Sequence, residues 1–311
     1  MPRCPRRRRA AALLLAALLL APACSDDEPA APPRPTTSSS TTSSTLAPTT
    51  TAPVDVFTLR PPTPGADPAA LAAQIATAEA TLHDPAASEV GVATAALTQQ
   101  VAYRRLGDHP EWDTAVLAAL PAALHGRATS HAAARRELRT LGGAPRTTLP
   151  AWRIVAPVPL ADLQPIYEEA GAAFGIPWTF LAAINLVETG IGRIRGTSEA
   201  GAQGPMQFLP ATWAAYGAGG DINDPRDAIF AAARLLKADG GTPADMAGAL
   251  YHYNHSDHYV RAITHYAELI AEHPLELRAI YHWGVYYRTV NGDVYLPVGY
   301  EQTTPVPVPV P

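Results

Sequence analysis

The segment Ile184-Asn185-Leu186-Val187-Glu188-Thr189-Gly190 ends an apolar run with one acid, and Gly190 and Gly192 then stop the helix. Two effects favour the neutral form of Glu188 there: desolvation beside Ile184 and Val187, and the negative end of the helix dipole. A carboxylic acid kept protonated near neutral pH is what a general acid requires. The next block reads Ser198-Glu199-Ala200-Gly201-Ala202-Gln203-Gly204-Pro205-Met206-Gln207-Phe208-Leu209-Pro210-Ala211-Thr212-Trp213. Gly201 and Gly204 allow backbone to approach a ligand closely, and Gln207 offers an amide to hydroxyl or amide groups. Taken alone, a Glu in this place is more often an exposed helix-end residue than a catalytic one.

A third block, Ala249-Leu250-x-x-Tyr253-Asn254, comes after these in order. Together the three blocks resemble the lytic transglycosylase SLT domain, a lysozyme-like family that degrades peptidoglycan. The resemblance covers about residues 160–272. Asp221-x-Asn223-x-Pro225 also looks like the family's connection between the second and third blocks. The sequence departs from the pattern at Thr189, where Ser is usual, at Pro205, where Leu is usual, and at His255, where a small residue is usual.

The resemblance implies a lysozyme-like helical catalytic domain; with a helical N-terminal region read from apolar spacing and a short C-terminal β-hairpin read from Asn291-Gly292, the expected fold class is mainly α. The resemblance also implies a single-carboxylate mechanism. Glu188 protonates the oxygen linking N-acetylmuramic acid to N-acetylglucosamine while the substrate's own N-acetyl group stabilises the developing positive charge. Glu188, now a carboxylate, takes the proton of the muramic 6-hydroxyl as it attacks, leaving a 1,6-anhydro end. No water, metal or cofactor is consumed. By the same match Tyr253 orients Glu188, and Ser198, Met206, Gln207, Tyr253 and Asn254 line the saccharide site. Core packing is the competing account of Met206 and Tyr253.

Three other functions compete. A hydrolytic muramidase needs a second carboxylate, for which Glu199 and Asp221 are nearest in sequence. A metal site would draw on His252, His255, His258 and His265 with Asp257, but Asn254-His255-Ser256-Asp257 reads as a turn that breaks their shared face. A non-catalytic peptidoglycan-binding lipoprotein leaves the intact Glu188 and Gln207 unexplained.

Around this core the chain of 311 residues divides by composition. Residues 1–23 hold Arg3, Arg6, Arg7, Arg8 and Arg9, an Ala/Leu run and Ala21-Pro22-Ala23, the layout of a secretory signal peptide. Removing those five of the 23 basic residues leaves 18 against 28 acidic ones, a balance of −10. Such a body lacks the basic footprint that nucleic-acid binding requires. Residues 24–67, rich in Ser, Thr and Pro, read as a disordered spacer, and residues 301–311 as a disordered Pro/Val tail. Residues 68–150 read as Ala- and Leu-rich helices that pack on the catalytic region or bind cell-wall protein partners. Residues 151–300 hold the catalytic domain, with Pro165, Pro177, Pro225, Pro243 and Pro274 near helix starts and Asn291-Gly292 as a type I′ hairpin turn.

Of the two cysteines, Cys4 falls within the signal. Cys24 admits two readings: the lipidated first residue of a lipoprotein, anchoring the protein to the outer face of the cytoplasmic membrane, or the first residue after ordinary cleavage and secretion. The lipobox reading predicts a diacylglyceryl mass on Cys24 in the mature N-terminal peptide; a free thiol there, read by mass spectrometry, removes the anchor.

Overall fold

Three α-helix starts among the described residues are set by side chains that take over orphan amide groups. Asp67 accepts from Ala70 N and is followed by Pro68, which opens α1 (Pro68–Leu82). Ser88 accepts from Gly91 N at the start of α2 (Glu89–Asp108). The first half continues through α3 (Asp113–Ala119) and α4 (His125–Leu141). Next come α5 (Leu160–Phe174), α6 (Trp178–Thr189) and α7 (Pro210–Tyr216). Asp224 caps α8 (Pro225–Ala238) through Asp227 N. The last three are α9 (Ala247–Tyr253), α10 (Asp257–Glu272) and α11 (Glu276–His282). These belong to the computed structural model, which describes residues 54–308. Among these residues no helix is long and apolar enough to cross a membrane. The signal segment and Cys24 lie outside them.

Three two-stranded antiparallel ladders complete the mainly α architecture. Strand β1 (Thr148–Leu149) pairs with β6 (Val306–Pro307), β2 (Arg153–Ile154) with β3 (Ile194–Arg195), and β4 (Val285–Thr289) with β5 (Gly292–Leu296).

At the centre lies α6. Leu181, Ala182, Ala183 and Ile184 are each fully shielded from solvent, as expected of a helix apolar on every side. It packs on α5, α8 and α10. A smaller core joins α1, α2, α3 and α4 around Leu71, Ile75, Tyr103 and Val116. The two cores are not separate bodies, because Leu82, Val92, Ala96 and Ala134 belong to the larger one, α4 runs along α10, and α2 meets α11. Residues 68–150 therefore pack on the region that follows them.

A buried charge cluster fastens that contact. Glu79 Oε1 accepts from Tyr103 OH at 2.7 Å and from Gln99 Nε2 at 3.1 Å, and Glu79 Oε2 pairs with Arg127. Arg127 Nε lies 3.8 Å from Glu276 Oε2 and His131 Nε2 lies 3.0 Å from Glu276 Oε1. All four charged or titratable residues are buried. Burial pushes the Glu276 carboxyl up, but His131 and Arg127 outweigh it and hold it below the usual carboxylate range. Gln100 adds a two-way amide clasp on the Gly284 backbone, at 2.8 and 2.9 Å.

Five boundaries differ from the sequence reading, each for a local reason. Helix α5 begins at Leu160, behind Pro159, so Pro165 falls inside it. Helix α9 begins at Ala247 because Thr242 and Asp245 exchange backbone hydrogen bonds across the Pro243 turn. The hairpin is present, but Thr289 pairs with Gly292 and Gly292 alone in the turn has positive φ, at 102°. That excludes type I′, which needs two such residues. The expected disordered tail instead supplies β6, and Val308 N donates to Thr147 O at 3.0 Å. Proline is tolerated there because an edge strand need not donate outward. The end of the expected spacer is also placed: Phe57 stacks on His282 with ring centroids 6.1 Å apart, and Gly65 N donates to Gln74 Oε1.

Replacing Arg127 with Met leaves two buried carboxylates without their shared cation. Arg127→Met is expected to cost about 3–5 kcal/mol, read as a lowered Tm. For Glu276 the depressed folded-state pKa means stability present above the unfolded carboxylate pKa and lost as pH falls through the folded one. In the variant the folded-state pKa of Glu276 moves up toward its unfolded value, so this acid-side loss becomes smaller.

Candidate active site

Glu188 sits in the last turn of α6, and the chain is stopped just beyond it. Gly190 is left-handed at φ 61°, and Ile191 N closes a six-residue bond to Asn185 O at 3.0 Å. Ile191 itself has φ 62°. A buried β-branched residue there carries real strain, about 1–3 kcal/mol. The turn is thus over-determined by its surroundings, which fixes the direction in which Glu188 leaves the helix.

The carboxyl is half-buried, and Oε1 accepts a hydrogen bond from Tyr259 OH at 2.8 Å. Burial pushes the Glu188 pKa up to about 7, with the Tyr259 hydrogen bond opposing part of that rise. Near neutral pH the group is therefore divided between acid and carboxylate, as a residue that gives and then takes one proton needs.

A tight loop at residues 203–208 faces it. Gln203 and Phe208 exchange both backbone hydrogen bonds at 2.9 Å. Inside the loop the Pro205 carbonyl accepts from Thr189 Oγ1 at 2.6 Å and from Asn185 Nδ2 at 2.8 Å. Tyr167 OH holds the other side of the Asn185 amide at 2.6 Å, and Gly192 N donates to Thr189 Oγ1. The Tyr167, Asn185 and Thr189 side chains are buried and satisfied, so the residue next to Glu188 is bolted to the loop. Gly204 has φ 74°, and a Cβ there would stand 1.9 Å from Ile222 O. No other residue fits.

The sites named from sequence are only partly brought together. Gln207 lies in this loop at φ 50°, its Nε2 donating back to Gly204 O at 3.0 Å. The Met206 side chain is wholly buried in the main core, so its carbonyl, not its thioether, serves the site. That carbonyl accepts from Tyr253 OH at 2.7 Å. Tyr253 therefore braces the loop, and the bond to Glu188 comes from Tyr259, whose ring lies parallel to it 6.2 Å away. Ser198 Oγ accepts from Ala202 N at 3.0 Å and so closes its own loop. Asn254 ends α9, its N–H on Leu250 O.

Residues 165–268 match the family model of the Transglycosylase SLT domain. This segment is an SLT domain. Comparison of the chain with curated proteins and with solved structures gives no match.

The two acids considered as a second carboxylate are engaged elsewhere: Glu199 pairs with Arg146 at 3.1 Å in solvent, and Asp221 Oδ1 accepts from Asn223 N. His258 meets Glu137 at 2.6 Å, His252 lies 3.6 Å from Asp239, and His255 packs edge-on to Tyr251. Among the described residues no three His, Cys, Asp or Glu are grouped to hold a metal ion.

Motif reading misses Tyr259, yet a signal for it exists. Tyr259, Ala262, Ile263, Tyr266, Ala267 and Ile270 form the buried stripe of α10. A phenol on such a stripe needs a polar partner, and α10 packs on α6. The second missed contribution comes from outside the SLT domain. A cavity of about 340 Å³ has Leu186, Val187 and Gly190 on one wall and Arg104, Arg135 and Tyr286 on the other. Residues 68–150 thus help to wall the space beside the Glu188 turn.

Removing the phenolic oxygen isolates one of the two influences on Glu188. Tyr259→Phe is expected to move the Glu188 titration above about 7, because the hydrogen bond that favours the carboxylate is gone. A ¹³C NMR titration of the side-chain carboxyl reads the direction, and a downward move contradicts the assignment.

Proposed function

We propose that this protein is a peptidoglycan lytic transglycosylase that cleaves the N-acetylmuramic acid-β-1,4-N-acetylglucosamine bond with Glu188 as its one catalytic carboxyl. The observation that carries the reading is a lone half-buried acid, lifted to about 7 by burial, on a strained turn bolted to the 203–208 loop of an SLT domain. In the protonated state Glu188 gives its proton to the glycosidic oxygen, and the bond from that oxygen to the muramic anomeric carbon breaks. The substrate N-acetyl carbonyl covers the positive charge. The Glu188 carboxylate then accepts the 6-hydroxyl proton as that oxygen bonds to the anomeric carbon. Atoms balance without water: one chain yields a free N-acetylglucosamine 4-hydroxyl end and a 1,6-anhydromuramic end.

Tyr259 supports both halves, since its hydroxyl holds Oε1 in place and stabilises the carboxylate between the two transfers. The loop contributes Gln207 and its backbone for sugar contacts. Export behind residues 1–23 and anchoring at Cys24 put the enzyme on the outer face of the membrane, next to its polymer.

The test is muropeptide mass spectrometry on purified sacculi. Wild type is expected to release 1,6-anhydro products, and Glu188→Gln to lower the rate by about 10²–10⁴, the usual contribution of general acid–base catalysis. Above about pH 7 the rate should fall as Glu188 loses the proton it must donate. Full activity in Glu188→Gln would overturn the assignment; ends that borohydride reduces would mean hydrolysis.

A further inference from the structure

The β2–β3 ladder sets Arg153 directly opposite Arg195. Facing like charges destabilise a strand pair, and this ladder is only two residues long on each side. A purely structural ladder gains nothing from that choice. Four other arginines at the surface are neutralised: Arg146 by Glu199, Arg226 by Glu169, Arg261 by Glu137 and Arg278 by Glu89. Among the described residues Arg153 and Arg195 have no such partner. Glu301 bridges Arg153 through backbone, yet its carboxylate makes no ion pair with it. Burial first, and then the neighbouring Arg153 charge, hold the Arg195 guanidinium below its ordinary pKa, which signals an uncompensated cation.

Both arginines open into a cavity of about 570 Å³, with Thr197, Gln203, Gly204 and Asn223 on its other walls. Gln203 and Gly204 begin the very loop that Thr189 and Asn185 fasten through the Pro205 carbonyl. The cavity is therefore rigidly tied to the Glu188 turn, its wall directly preceding the residue that carries the anchoring carbonyl.

We propose that Arg153 and Arg195 form an anion subsite that takes a carboxylate of the peptide stem carried by the glycan strand. The assignment rests on the proposed peptidoglycan activity. Two guanidinium forks match a carboxylate in a way that a single ammonium does not. The surrounding hydroxyl of Thr197 and amides of Gln203 and Asn223 suit peptide groups on either side of that carboxylate. An otherwise acidic protein, −10 beyond its first 23 residues, gains by this pair one place where an anionic substrate is attracted. A phosphodiester wall polymer carries the same sign of charge, but nothing ties such a polymer to the loop that adjoins Glu188.

The experiment measures binding of fluorescent glycan strands by anisotropy, with the full chain carrying Glu188→Gln so that nothing is cleaved. Strands with intact stems are compared with strands whose stems an amidase has removed. Adding Arg153→Gln and Arg195→Gln is expected to weaken binding of stem-bearing strands by about 10–100-fold, the worth of lost charge-assisted hydrogen bonds. Stem-free strands should move less than about twofold, and added salt should erode the stem preference only where both arginines are present. A second variant guards against a folding artefact: Arg195→Glu fills the subsite with a cross-strand ion pair, so it should raise Tm while abolishing the stem preference. The proposal fails if both strand types weaken equally, if neither moves, or if the arginines matter only to a poly(glycerol phosphate) probe. Cleavage of stem-free strands by the chain with Glu188 intact is scored separately, so failure of the catalytic reading is distinguishable from failure of this one.

Discussion

The Pro205 carbonyl is the point on which the site depends. It is a backbone acceptor in a loop that lacks regular structure, and two donors from one helix, Thr189 and Asn185, converge on it at 2.6 and 2.8 Å. Buried polar groups left without partners cost about 1–3 kcal/mol each, so loop and helix end are held together by the penalty for parting. That bond sits one residue from Glu188, and the positive φ of Ile191 and Gln207 is tolerated on either side of it. Strain of this kind persists only where the surroundings leave the backbone no alternative. Thr189, a departure from the usual Ser, keeps the hydroxyl that the arrangement requires. Its extra methyl is accommodated with the residue wholly buried.

A second constraint acts from the opposite side. The Glu79–Arg127–Glu276–His131 cluster and the Gln100 clasp join α1, α2 and α4 to α11 and the strand beyond it. Ion pairs this deeply buried are weak evidence for stability, because desolvation offsets their attraction. Their effect is better described as registration: only one placement of α4 against α10 and α11 satisfies both carboxylates. Since Arg104, Arg135 and Leu138 then fall on the wall of the cavity beside Val187, the helical region before the SLT domain shapes space that the domain alone would leave open. The boundary between the two regions is one of sequence pattern, not of packing.

How much of the molecule is legible in its sequence depends on how local each signal is. Asp224-Pro225 marks the start of α8 to the residue because cap and proline both act within one turn. Gly190 ends α6 for the same reason, and the burial of Glu188 reflects the apolar run before it. Features that depend on tertiary register are not legible. Whether Tyr253 or Tyr259 reaches Glu188 is decided by the break at residues 254–256, which resets the helical phase of α10. Met206 lies in a family motif, but a motif does not say whether side chain or carbonyl is the useful group. The tail strand escapes detection because alternating Pro and Val carries no helical or turn signal, and its pairing partner β1 lies far back in the chain.

The electrostatics of the site then separate into two scales. The long-range field of an acidic body disfavours anionic ligands everywhere, and at physiological ionic strength it decays within about 8 Å of the surface. The proton on Glu188 is not set by that field: burial is the dominant influence, countered at short range by one phenol. The influences on that proton are local, so the protonation of Glu188 and the charge of the acidic surface are governed by different parts of the molecule. Glu188 holds its proton because burial disfavours the carboxylate. Arg153 and Arg195 keep their charges partly exposed and unpaired in an adjoining cavity, the one arrangement that lets a small basic spot act against a large acidic background.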